Sequence, residues 1–86
     1  MPRIAEFFGI FIYMYFEDHA PSHFHAIYGE YEALISIADF HILKGELPPR
    51  AYGLVVEWAI QHQNELKQNW EQAVQLKPLN KIKPLA

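Results

Sequence analysis

Three imidazoles and a carboxylate fall within one short segment, Asp18-His19-Ala20-Pro21-Ser22-His23-Phe24-His25. Imidazole changes charge near neutral pH and is the commonest side-chain ligand for borderline divalent metals, so the chain concentrates its potential chemistry here. On an extended strand His23 and His25 share one face, about 6 to 7 Å apart, while Phe24 points the other way. Two functional readings follow. In one, His23 and His25 hold zinc or another divalent transition metal, with His19 or Asp18 returning from the turn as a further ligand. In the other, His23 and His25 serve as a general acid and base, with His19 as third member, as cleavage of a phosphodiester requires. Against both stands a structural reading. Asp18 and His19 then cap the turn through backbone hydrogen bonds, and His23 and His25 occupy a half-exposed strand face. A His-x-His spacing alone is common, whereas a third histidine and a carboxylate bring function and structure to about equal weight. No fourth ligand is adjacent, and His41 and His62 are the remaining histidines that the fold could bring close.

The elements that must position this turn are legible on both sides of it. Arg3 to Phe8 and Ile10 to Phe16 are rich in Ile, Phe and Tyr, with Gly9 between them where a tight turn needs positive φ. Pro21 cannot donate to a ladder and breaks the pattern. His23 to Tyr28 then leads through Gly29-Glu30 into Tyr31 to Ile37, a second hairpin, and Asp39 to Lys44 is a candidate fifth strand. After Pro48-Pro49, apolar residues recur at Ala51, Val55, Trp58, His62, Leu66, Trp70 and Ala73 in steps of three and four. One helix over that stripe, about 27 residues long, would reach ~40 Å, more than a small sheet covers. The stripe therefore predicts a break near Gln63-Asn64 or a protruding end. The expected fold is α+β, a four- or five-stranded antiparallel meander followed by a long C-terminal helix packed on one sheet face, with a basic, proline-containing tail over 77–86.

On that helix His62 lies between Trp58 and Leu66, where a core histidine satisfied by one hydrogen bond is the common case. Trp58 and Trp70 read as core anchors. Phe11, Tyr13 and Tyr15 share a strand face and could stack bases. Charge argues against that use. Up to Leu66 there are three basic residues against nine acidic, and from Lys67 onward four against one. An acidic body lacks the Lys and Arg contacts on which phosphate-backbone binding depends, so nucleic acid is not indicated.

The 86 residues suit one domain, and 51% apolar content suffices for a modest core. A partner or a second copy that covers leftover apolar area is expected for so short a chain. There are no cysteines, which removes disulfides and thiolate chemistry and makes the cytoplasm the expected compartment. Neither a signal peptide nor an apolar run long enough to cross a bilayer is read.

The segments Phe16-Glu17-Asp18-His19, Pro21, His23-Phe24-His25-Ala26, Tyr28-Gly29, Gly45-Glu46-Leu47-Pro48, Glu57-Trp58, His62, Glu65-Leu66, Asn69-Trp70 and Ile82-Lys83-Pro84-Leu85 together resemble a small bacterial family called domain of unknown function 4160. The resemblance implies that His19, His23 and His25 are signature positions, and it adds Glu57, His62 and Asn69 on the helix. Pro49 is the one departure noticed. The resemblance also implies a context: members look like one half of compact bacterial gene pairs of the toxin-antitoxin type, often beside a protein resembling domain of unknown function 2442. Two functions are expected on these grounds. The first is a small cytoplasmic protein-interaction component of such a pair. The second is a histidine-dependent enzyme, ribonuclease-like or a small metallo-hydrolase, built on His19, His23 and His25.

Overall fold

The computed structural model describes residues 3–16 and 19–86. Five antiparallel strands form one meander, β1 (Arg3–Phe7), β2 (Ile10–Tyr13), β3 (His23–Tyr28), β4 (Tyr31–Ser36) and β5 (Ile42–Gly45), and two helices follow, α1 (Pro49–Gln61) and α2 (Gln63–Val74). The expected α+β meander with its helical second half is what the chain adopts.

Turn chemistry sets the register. Phe7 faces Ile10 across a two-residue loop in which Phe8 and Gly9 both have positive φ, 51° and 78°, the signature of a type I′ turn. Tyr28 faces Tyr31 across Gly29-Glu30, with positive φ at Gly29 alone, as a type II′ turn requires. Alternation from these fixed points sends Ile10, Ile12, Phe24, Ala26, Ala33 and Ile35 to one face, where all are buried. Trp58 of α1 is the largest side chain packed on that face, with ring centroids 5.3 Å from Phe7 and 5.9 Å from Phe24. Leu66 and Ala73 extend the same core from α2.

Several expected boundaries move. Phe8 belongs to the turn, not to β1, and β2 ends at Tyr13, short of Phe16. The fifth strand starts at Ile42, because Asp39 to His41 make the preceding turn: the Ser36 N–H donates to the His41 carbonyl and the His41 N–H to the Asp39 carboxylate. A bulge opposite Leu34 and Ile35 sets Leu43 outside the ladder.

The helical stripe is interrupted at His62, whose φ of −127° is not helical. Gln63 tethers the break to the sheet by donating its amide N–H groups to the Ile37 and Ala38 carbonyls, at 2.9 and 3.2 Å. The expectation of a break near Gln63-Asn64 is thus met one residue earlier, and both pieces bury an apolar side. Residues 77–86 are non-helical and pack back on the core. Asn69, 1% exposed, donates to the Asn80 carbonyl at 2.8 Å and accepts from the Asn80 N–H at 3.0 Å. The Trp58 indole N–H donates to the Lys83 carbonyl, and the Ile82 N–H donates to the Ile4 carbonyl on the outer edge of β1.

Candidate functional site

Both helices lie on one face of the sheet, so the opposite face of the central strands is the open one. Phe11 and Tyr13 of β2, Ile27 of β3 and Leu34 of β4 project there by alternation and are half-buried. His23 and His25 share this face, with Tyr13 and Leu34 directly across from His25 and Ser36 across from His23. Tyr15, just past β2, stands edge-on to His25 with centroids 4.2 Å apart and lies parallel to Tyr13. Trp70 of α2 closes the end of the site, 5.2 Å from His23.

The two imidazoles are closer and more buried than a half-exposed strand face implies. Their ring centroids are 5.2 Å apart, and the residues are 5% and 9% exposed. Hydrogen bonds orient each ring through the same nitrogen. His23 Nδ1–H donates to the Pro21 carbonyl at 2.8 Å, an oxygen that can only accept. His25 Nδ1–H donates to the Glu32 carboxylate at 3.3 Å. In the neutral ring this places the lone pair of each on Nε2, the arrangement in which a second partner orients a histidine that acts as base or ligand. The Ala20–Pro21 peptide that precedes this pair is cis.

The remaining sequence candidates scatter. His19 is exposed at the turn, and Asp18 lies outside the described residues. Among the described residues no three of His, Asp and Glu converge as a group that could hold a metal ion. His41 faces Asp39 at 3.6 Å on the surface. His62 comes close to the singly hydrogen-bonded core histidine that the stripe implies: its side chain is largely buried, its ring contacts the core Trp58, and its Nδ1 lies 2.6 Å from a Glu65 carboxylate oxygen at the helix break. Glu32 was not singled out by sequence reasoning. Its signal was the register, since a β3–β4 turn at Gly29-Glu30 places position 32 diagonally from position 25.

The family model described as Domain of unknown function (DUF4160) matches residues 9–71. The chain belongs to that family. The matched span runs from the β1–β2 turn into α2 and includes His19, His23, His25, Glu32, His62 and Trp70, so the whole histidine site falls inside it, whereas β1 and the segment that returns to it from α2 fall outside. No curated protein and no solved structure matches the chain. Nor is any helix of the described residues long and apolar enough to cross a membrane.

Proposed function

We propose that this DUF4160 chain is the interaction component of a two-protein, toxin-antitoxin-like bacterial module, working in the cytoplasm and binding the product of the paired gene through its open sheet face. One observation carries the reading. An antiparallel sheet with one solvated face ordinarily presents polar side chains there, yet on this face the strands present Phe11, Tyr13, Ile27 and Leu34, while both helices pack on the other. Contiguous apolar area of this kind marks association surfaces, and Tyr is enriched at their anchors. Co-expression with the paired gene's product followed by size-exclusion chromatography tests it. The wild type should elute as a stable complex. The double variant Ile27→Thr, Leu34→Gln, which keeps strand-compatible side chains while removing apolar area, should lose at least about tenfold in affinity. Free wild-type monomer in the presence of the partner would end this reading.

A second reading is favoured by one specific feature, the common Nδ1–H orientation of His23 and His25. Two imidazoles aimed alike, beside Tyr15 and Glu32, suit a general acid and base acting on a substrate that enters from the open face. Expression of the chain alone separates the two. Growth arrest by the wild type that is relieved in His19→Ala, His23→Ala, His25→Ala, with circular dichroism unchanged, would assign the chain as the effector.

A further inference from the structure

At the end of the sheet opposite His23, a groove of about 400 Å³ opens between the two hairpin turns and the start of α1, lined by Phe8, Ile10, Tyr28, Arg50, Ala51 and Leu54. It is largely apolar, with one cation. Two of its residues stand where local physics disfavours them.

Phe8 occupies the first central position of a type I′ turn at φ 51°, a left-handed conformation that Asn or Gly adopts readily and a bulky side chain does not. Burial does not offset that strain, because Phe8 is 60% exposed. Arg50 lies in the first turn of α1, where the helix dipole favours an acidic residue and none is present. Among the described residues Arg50 makes no ion pair. An exposed aromatic in a strained turn and an unpaired cation at the positive end of a helix thus meet on one groove. Residues that cost local stability and face a common cleft are the signature of a binding site.

We infer that this groove docks a peptide segment of a partner protein, an apolar side chain seated between Phe8, Tyr28 and Leu54 and an adjacent carboxylate paired with Arg50. Charge complementarity selects the acidic group. The volume, at the low end of ligand-binding clefts, fits one anchor side chain and its neighbours, not a folded surface. The inference shares with the proposed function the premise that the chain has a protein partner, but uses a different end of the molecule.

The test is built on variants that should not weaken the fold. Phe8→Asn installs a residue suited to the turn and should raise the Tm by about 2–5 °C. Arg50→Glu places the favoured charge at the helix start and should leave the Tm unchanged or slightly raised. The probes are overlapping peptides tiling the paired gene's product, titrated by fluorescence anisotropy against the full chain. The expected result is that a peptide with an apolar residue next to Asp or Glu binds the wild type, and that each variant binds it at least about tenfold more weakly at equal or higher Tm. Equal binding by wild type and both variants, or binding of no peptide by the wild type, overturns the inference. Failure here is distinct from failure of the sheet-face reading: an intact complex with the full partner, lost only in Ile27→Thr, Leu34→Gln, would leave the sheet face standing and the groove refuted.

Discussion

His23 and His25 lie side by side on β3 with ring centroids 5.2 Å apart, and each directs its Nδ1–H to an oxygen of the protein, the Pro21 carbonyl for one and the Glu32 carboxylate for the other. The pair is therefore held from two directions, by the turn that precedes the strand and by the neighbouring strand that follows it. A backbone carbonyl cannot change its preference, so the orientation of His23 is fixed by the chain itself. The His25 Nδ1–H is met instead by a side chain, Glu32, which substitution can change.

The tautomers are measurable. Long-range proton–nitrogen correlation spectra of the neutral rings should show both protonated at Nδ1. In Glu32→Gln the His25 pattern should shift to a mixture of tautomers while His23 is unchanged. A His25 spectrum indifferent to that substitution would mean that Glu32 does not orient it.

Asn69 uses both ends of its amide on the backbone of Asn80. Asn69→Ala removes both bonds to the Asn80 backbone together with a buried side chain and should lower the unfolding free energy by about 1–3 kcal/mol in urea titrations. Trypsin should also cut faster after Lys81, because the segment that carries it is released, whereas Lys77 and Lys83 each precede a proline and stay uncut. Asn69→Asp retains the acceptor but loses the donor, and should be no better than alanine, since it buries a carboxylate. Unchanged stability in both variants would contradict the clamp.

Gly45 has φ 82°, and a Cβ there would collide with the Glu32 carbonyl oxygen. Gly45→Ala therefore faces backbone on one side and strain on the other, and should cost at least about 2 kcal/mol. Gly53, in the middle of α1 with nothing near its missing Cβ, is the control. Gly53→Ala should stabilise the chain by roughly 0.5–1 kcal/mol. Chemical denaturation of the two variants side by side checks the contrast.

Asp39 is held below its ordinary value near 3.8, chiefly because its carboxylate accepts the His41 backbone N–H, with the His41 ring adding attraction. A carboxyl whose folded pKa is depressed stabilises the fold above its unfolded value, and that contribution disappears as pH falls through the folded value. Asp39→Ala should thus be slightly less stable than wild type near neutral pH, and the gap should narrow below a pH of about 4. The residue is fully exposed, so the effect is small and best read as a difference in urea midpoints. A gap of constant size down to pH ~2.5 would exclude the linkage.

Much of this architecture was legible in the residues. Period-two alternation put His23 and His25 on one face and Phe24 on the other, and Gly9 and Gly29 marked both hairpins. Length alone signalled that the stripe from Ala51 to Ala73 would either break or protrude, and it breaks. Other features were hidden because they depend on contacts between distant segments. The break falls at His62 because Gln63 is held by carbonyls of Ile37 and Ala38. Periodicity named Trp70 as a core anchor, but it is the polar Asn69 that is fully buried, and its reason lies eleven positions away at Asn80. Trp70 packs at the margin of the core and also meets His23. Phe8 was read as the end of a strand, since only the observed φ reveals an aromatic in a turn that favours asparagine. Glu32 joins the site through strand register, which no single segment displays.

The bond from the Ile82 N–H to the Ile4 carbonyl ties nearly the last part of the sequence to nearly the first. Until the segment that carries Ile82 is seated, β1 keeps an unsealed edge at Ile4. A chain in which that segment is displaced presents backbone able to pair with the same edge of another copy.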